Sequence, residues 1–415
     1  MVRIYNSGMT TLSGGNLSIL DEDGTMWITP AGRDKGALIP GDIMRVDPDG
    51  SVHGPHTPSS EYPFHRAIYD RRPDLRAIVH AHAPALVAFS IARQIPDTHI
   101  ISQAHRICGP VGYAAYAPPG TVKLGENIAA AFAKGHNVVM LENHGAATGG
   151  PDLITAFQRL ETVDFCARTL INASELGEIT SLQDAEIDRV RNSVSAGAAM
   201  PEFDPGPPTS QERALRSLIV TMTRRACQRQ LMNSTEGVVS ARLDDGSFLI
   251  TPAGLDRSAL QIEEIVLMRD GARERGKIPS RSAPMHRAIY AQQPEIHSVI
   301  TAQSPYAMAY AVTHAQFDSR TIPESYVMLR TVPRLPFGNH YAEPDEIARL
   351  ISPQSPVLMI QNDCTLTAGK DITQAFDRLE VAEFSARSLI DTARFATLRP
   401  IGPEEIRELE VAFNL

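Results

Sequence analysis

The strongest constraint on this chain is an internal duplication. Asp23-Gly24-Thr25-Met26-Trp27-Ile28-Thr29-Pro30-Ala31-Gly32 returns as Asp245-Gly246-Ser247-Phe248-Leu249-Ile250-Thr251-Pro252-Ala253-Gly254. Pro63-Phe64-His65-Arg66-Ala67-Ile68-Tyr69 returns as Pro284-Met285-His286-Arg287-Ala288-Ile289-Tyr290, and Ala156-Phe157-Gln158-Arg159-Leu160-Glu161 as Ala375-Phe376-Asp377-Arg378-Leu379-Glu380. The order is the same throughout, so the chain is two copies of one folding unit. Between them, residues 198–209 carry prolines and a glycine that sustain neither a helix nor a central strand. The expected organisation is therefore a first domain over 1–197, a linker over 198–209 and a second domain over 210–415.

With 415 residues, 43% of them hydrophobic, the chain is long enough for two cores of ordinary size. A formal charge of -9 leaves no excess of Lys and Arg for a phosphate backbone, so a nucleic-acid partner is not expected. Met1–Ser13 lacks the basic start and apolar core of a signal peptide, and no apolar run is long enough to span a bilayer. A soluble, cytoplasmic protein with no membrane partner is expected. Cys108, Cys166, Cys227 and Cys364 lack CxxC spacing and are expected to be reduced thiols packed as small apolar groups.

Each copy reads as mixed α/β. Asp23-Gly24 and Asp245-Gly246 mark hairpin turns of the kind in which both central residues take positive φ. Tyr62–Tyr69 and 152–176 are expected to be helical, the latter from apolar residues at three- and four-residue steps. Ala77-Ile78-Val79 and Val138–Leu141 are expected to be buried strands. A helix over about Glu212–Leu231 precedes the second copy, whereas the first begins almost at once at Arg3. Either the first copy does without that helix or the natural start lies upstream of Met1.

His80-Ala81-His82 ends an apolar strand with two imidazoles two residues apart, and period-two alternation puts both on one face. His144 follows another apolar run. Three neutral imidazoles make a catalytic zinc set with an open position; the bland alternative is three hydrogen-bonded histidines at a core edge. The second copy discriminates between these readings. Its equivalents are Thr301, Gln303 and Asp363, so all three histidines are replaced together, as expected of a shared role. His65 is matched by His286 in that metal-free half, which argues for packing or hydrogen-bonding work there.

Ser13-Gly14-Gly15-Asn16-Leu17-Ser18, Ile28-Thr29-Pro30-Ala31-Gly32, Pro58-Ser59-Ser60-Glu61, His80-Ala81-His82 and Asn143-His144-Gly145, in this order and spacing, resemble the class II aldolase/adducin family. The match covers roughly residues 3–180, and a degenerate version covers about 212–395. The resemblance implies a three-layer α/β/α class II aldolase-like domain, present twice in tandem. It makes His80, His82 and His144 ligands of Zn2+, with Mn2+ or another divalent metal as alternatives, and Glu61 the acid/base. It also makes Gly15, Asn16, Ala31, Gly32, Ser59 and Ser60 the pocket for the substrate's anionic end. Freed backbone N–H groups and two hydroxyls agree with that role, although Ala31 stands where the sugar-phosphate aldolases commonly have Thr. Ser59-Ser60-Glu61 also has a plain reading as a helix N-terminus. Tyr116 matches a tyrosine that reaches a neighbouring subunit's site as proton donor, with a second-copy counterpart near Leu335.

The implied chemistry is aldol-type cleavage of a small anionic hydroxy-carbonyl substrate such as a sugar phosphate, the metal stabilising an enediolate. Alternatives are decarboxylation of an aromatic hydroxy acid, sugar-phosphate 4-epimerisation and, from another class, a non-catalytic adducin-like assembly module. Family members form four-fold rings, so a homo-oligomer is expected, with two chains mimicking a ring as a pseudo-tetramer.

Overall fold

The computed structural model describes residues 1–193 and 200–415; residues 194–199, which hold the end of the expected first domain and the start of the expected linker, lie outside them. The described residues form two compact units, Met1–His99 with Gln103–Leu170, and Ile100–Ser102 with Ile171–Leu415.

The first unit carries strands β1 (Asn16–Leu20), β2 (Met26–Ile28), β3 (Met44–Val46), β4 (Val52–His53), β5 (Ala77–Ala81), β6 (Val111–Ala114), β7 (Val138–Leu141) and β8 (Gly145–Gly150). They form one sheet in the order β4-β3-β2-β1-β5-β8-β7-β6. The pairings are antiparallel except for β6 with β7. Each residue of β5, Ala-Ile-Val-His-Ala, is buried, as a central strand covered on both faces requires. Helices Tyr62–Arg71 and Val122–Phe132 cover one face, with Phe64, Ile68, Leu124, Ile128 and Phe132 packed on Ile78, Val139 and Leu141. The helix Leu153–Ala173 is anchored to β8 by the Thr148 hydroxyl, which donates to the Ala156 carbonyl at 2.7 Å.

The second unit repeats the frame. Its strands are β9 (Glu202–Phe203), β10 (Val238–Arg242), β11 (Phe248–Ile250), β12 (Val266–Arg269), β13 (Ala272–Glu274), β14 (Ser298–Ala302), β15 (Arg334–Leu335), β16 (Val357–Ile360) and β17 (Cys364–Gly369). Their order, β15-β16-β17-β14-β10-β11-β12-β13-β9, is that of the first sheet with β9 added at one edge. Alternation along the strands divides two cores. Val239, Leu249, Leu267 and Ile300 face helices Ser210–Gln228 and Ile372–Ala393. Val238, Phe248, Val266 and Val299 face helices Ala283–Gln292 and Pro344–Leu350. The fold is the three-layer α/β/α arrangement, present in tandem.

One expectation needs correction. Neither Asp23 nor Asp245 has a positive φ; only Gly24 and Gly246 do, both at 84°. Each hairpin has a longer loop, in which Gly24 N–H donates to Asp21 O and Asp21 N–H to Thr25 O. That is a turn closed by one left-handed glycine, with the Asp23 carboxylate accepting from Thr25 N–H at 2.9 Å. The Pro/Gly-rich segment, expected to hold no helix or central strand, carries a short strand at the sheet edge. Glu202–Phe203 pairs with β13, because an edge strand needs only one hydrogen-bonded side. The helix before the second copy runs Ser210–Gln228 and is capped by the Thr209 hydroxyl, which accepts from Glu212 N–H at 3.1 Å. The first copy opens with the short helix Val2–Asn6. Cys108, Cys166 and Cys364 are buried free thiols.

Burial holds His65 and His286 neutral, each imidazole pushed down from 6.5 to about 3. Between those pH values the unfolded chain binds protons that the folded chain refuses, so stability is full above about pH 6.5 and falls as pH drops below it. Each histidine contributes a slope of up to about 1.4 kcal/mol per pH unit. Thermal melts from neutral pH downward are expected to show this loss, and His286→Phe to flatten it; a pH-independent melting temperature across pH 6.5 to 4.5 contradicts it.

Candidate metal centre and substrate site

The site is built on the β1–β5–β8 segment of the first sheet. The register sets Asn16 opposite His80 and His80 opposite Ala147. His82 follows directly after β5, and His144 sits in the tight connection from β7 to β8. There Asn143 takes a left-handed φ of 54°, a conformation asparagine tolerates better than most residues. The sequence-predicted trio is thereby brought together. Ring centroids of His80, His82 and His144 lie 4.8, 4.8 and 4.9 Å apart, and one nitrogen from each falls within a 4.8 Å cluster.

Two glycines make this convergence possible. Gly15, at φ 66°, sits so close to β5 that a Cβ there meets the His80 carbonyl at 2.7 Å. A Cβ at Gly145 meets the Ala81 carbonyl at 2.5 Å and the His82 ring at 3.3 Å. Side chains at these positions would push the strand ends away from the imidazoles.

Hydrogen bonds fix the proton positions. His80 Nδ1 lies 2.9 Å from the Ala146 carbonyl, which only accepts, so the proton is on Nδ1 and Nε2 carries a lone pair. That Nε2 lies 2.9 Å from His82 Nε2. Burial holds His80 neutral, well below its ordinary pKa, with His82 and His144 adding repulsion; it pushes His82 down to about 4. It lowers His144 as well, against the pull of Glu61. Neutral imidazoles whose ring nitrogens face one point are a donor set that fits a divalent cation of the zinc class.

Glu61 completes the group. It stands at the N-cap of the helix Tyr62–Arg71, yet its carboxylate does not cap that helix. It turns inward instead: Oε2 accepts from Asn16 Nδ2 at 2.8 Å and lies 3.4 Å from His80 Nε2. Oε1 lies 3.5 Å from His144 Nε2 and has no hydrogen-bond partner among the described residues, although it is buried. A buried carboxylate oxygen without a donor points to a proton or cation that the site is built to receive.

The expected anion pocket is partly assembled. The Thr29–Ala31 turn runs against Thr57–Ser59: Ala31 N–H donates to Thr57 O and Ser59 N–H to Thr29 O. These two amides are used within the fold, so they are not the free donors expected from sequence. Ser59 Oγ is buried and accepts from Glu61 N–H at 3.3 Å, whereas Ser60 and Gly32 are exposed. Asn16, expected to face an anion, has its side-chain donor on Glu61. Lys35 was missed by sequence reasoning: it is 1% exposed, and its ammonium donates to the Pro30 carbonyl, bracing the turn. A lysine just after the Thr29-Pro30-Ala31-Gly32 turn, preceded by Arg33-Asp34, gives no sequence signal of burial. Tyr116 is not brought to the imidazoles; its side chain is 57% exposed and its N–H donates to Glu142 Oε2. Its counterpart shifts also. Tyr113 pairs with Met140 and Arg334 with Met359, which puts Phe337 rather than Leu335 at that place.

In the second unit the same hairpin carries different donors. Asn362, at φ 53°, precedes Asp363 as Asn143 precedes His144. Asp363 Oδ2 lies 2.8 Å from the buried His340 Nε2, and Gln303 Nε2 donates to the Asp363 carbonyl at 3.0 Å. Serine at 282 replaces the carboxylate of Glu61, and Arg281 replaces Ser60.

Gly15→Ala is expected to cost more than about 1 kcal/mol from the left-handed φ and the carbonyl clash together, and to separate His80 from Asn16; chemical denaturation checks the first. A Gly15→Ala variant of wild-type stability contradicts the close approach. Comparison with known proteins agrees with this architecture. The profile of the Class II Aldolase and Adducin N-terminal domain matches residues 1–171 and again 217–390. The chain is 34% identical to 5-methylthioribulose-1-phosphate/5-deoxyribulose-1-phosphate aldolase of Rhodospirillum rubrum, over 45% of this chain and 84% of that protein. It is 30% identical to 3-oxo-tetronate 4-phosphate decarboxylase of Haemophilus influenzae, over 45% of this chain and 90% of that protein. Among solved structures, an L-fuculose 1-phosphate aldolase is 35% identical over 45% of this chain and 88% of its own, with a TM-score of 0.41. Matched by one family profile along both halves, the chain belongs to the class II aldolase and adducin family.

Proposed function

We propose that the first unit is a divalent-metal-dependent lyase acting on a small hydroxy-carbonyl or oxo-acid substrate with an anionic end, such as a sugar phosphate. One observation carries this reading: three neutral imidazoles converge beside a buried carboxylate whose Oε1 lacks a hydrogen-bond partner. His80, His82 and His144 hold the metal, Zn2+ or another divalent ion. When bound it supplies Lewis-acid charge to a substrate oxygen, a contribution of several kcal/mol. Glu61 Oε1 moves the proton whose transfer accompanies carbon–carbon bond cleavage, while Oε2 stays held by Asn16. Gly15, Gly32, Ser59 and Ser60, with Ala31 in the braced turn, receive the anionic end. Asn16 contributes through Glu61 rather than through the anion.

Aldol cleavage and decarboxylation are both carried by the same group, since each needs charge stabilised on an oxygen next to the breaking bond. The decarboxylase among the relatives favours a 3-oxo acid phosphate over an aromatic hydroxy acid as the second substrate class. The proposed domains, 1–197 and 210–415 about a linker at 198–209, make the second copy a metal-free partner. Its Thr301, Gln303 and Asp363 are poor ligands for a zinc-like ion, and Asp363 is already paired with His340. Tyr116, exposed on the first unit, is proposed to serve a neighbouring chain in a homo-oligomer, and light scattering that returns a monomer mass removes that role. No helix of the described residues is long and apolar enough to cross a membrane.

Elemental analysis after reconstitution is expected to find about one divalent ion per chain in the wild type and essentially none in His82→Ala. Glu61→Gln is expected to keep the metal and lose at least about 100-fold in kcat, as removal of a general acid/base does. Assays of aldehyde and of CO2 release, run on ketose 1-phosphates and 3-oxo acid phosphates, separate the two reactions. Wild-type protein without metal refutes the proposal.

A further inference from the structure

The buried polar chain behind Glu61 reaches further than any ligand set requires. Asn16 Nδ2 donates to Glu61, so its Oδ1 is the atom 2.5 Å from His65 Nε2. An amide oxygen only accepts; the His65 proton is therefore on Nε2, and Nδ1 is left to accept from the Ser18 hydroxyl at 2.7 Å. With its proton spent, Ser18 Oγ only accepts, and the single Tyr69 hydroxyl proton is shared between it at 2.7 Å and the Ser18 carbonyl at 3.1 Å. Each donor role is forced in turn from the carboxylate outward, and Asn16, Ser18, His65 and Tyr69 are all buried.

The second unit supplies an internal control. Ser240, His286 and Tyr290 repeat the inner part, with Ser240 Oγ 2.7 Å from His286 Nδ1 and 2.5 Å from Tyr290 hydroxyl. There the relay stops. Two residues before Ser240 stands Val238, opposite Thr301, where the first copy has Asn16 opposite His80. His286 Nε2 is buried with no partner among the described residues. The serine–histidine–tyrosine group thus belongs to the shared frame, and the link from histidine through asparagine to a carboxylate is found only in the unit that has one.

We propose that His65 is a positioning residue for Glu61. By fixing the Asn16 amide with its oxygen turned away from the carboxylate, His65 makes Asn16 a donor to Oε2 and leaves Oε1 bare for proton transfer. Without His65 the amide is free to turn its oxygen toward the carboxylate, where two acceptors repel and the held geometry is lost. The inference rests on the reading of Glu61 as the group that moves a proton, and its test separates the two.

Histidine-selective 1H–15N NMR of the metal-free protein is expected to show His65 as the Nε2–H tautomer. Its Nε2–H resonance should move on Asn16→Val, which installs the residue the second copy uses, while His286 stays unmoved. A His65 resonance indifferent to Asn16→Val overturns the proposal. In kinetics, His65→Phe and Asn16→Val are each expected to lower kcat about 10- to 100-fold with KM within about twofold and metal content unchanged. The double variant should be no slower than the worse single, and His65→Gln, which can still donate to Asn16, should recover part of the loss. His286→Phe provides the measure of a purely structural loss: a lower melting temperature at wild-type kcat. If His65→Phe and Asn16→Val behave as His286→Phe does, His65 is structural and the proposal fails. A metal-loaded wild type that cleaves neither substrate class, with the His65–Asn16 coupling intact, sinks the lyase reading and leaves that linkage standing.

Discussion

The antiparallel pairing of β1 with β5 is the constraint on which the first unit's site depends. It sets Asn16 opposite His80 at the end of a strand buried on both faces, so two polar side chains enter a region where unsatisfied groups are costly. Their partners are then dictated. His80 spends its Nδ1 proton on the Ala146 carbonyl, and Asn16 spends its amide on Glu61 and His65. What remains, three converging imidazole nitrogens and one carboxylate oxygen without a partner among the described residues, is the candidate reactive surface.

Close backbone approach is the price of that geometry. Gly15 and Gly145 bring β1 and β8 so near β5 that a methyl group would meet a carbonyl oxygen at either place. Lys35, buried under the Thr-Pro-Ala-Gly turn, is a second concession: a desolvated ammonium, its pKa lowered by burial, held to one backbone carbonyl. Such features are tolerated where they position groups that a more stable arrangement would misplace.

The duplicated unit separates frame from chemistry. Strand order, the left-handed asparagine before the third donor and the serine–histidine–tyrosine group persist in both copies. The histidine donors, Glu61 and Asn16 do not. In the second copy a buried His340–Asp363 pair stands at the old donor position, with the Gln303 amide bonded beside it. A lone carboxylate beside His340, with a threonine and a glutamine where the first copy has imidazoles, is a poor donor set for a zinc-like cation.

The sequence by itself determined the duplication, the α/β alternation and the grouping of His80 with His82, because repeats and strand periodicity are written in one dimension. Helices expected at 62–69 and 152–176 occupy Tyr62–Arg71 and Leu153–Ala173, while the hairpin loops differ from the expected two-residue turns because local turn chemistry has several solutions. Only the tertiary structure decided that Glu61 turns inward instead of capping its helix, that Asn16 serves the carboxylate, and that Ala31 and Ser59 spend their amides inside the fold. It also decided that His65, legible from sequence only as a residue shared by both copies, is joined to Glu61 in one of them. A hydrogen bond's partner depends on which donors and acceptors burial leaves facing each other, and strands far apart in the chain settle that only when they pair.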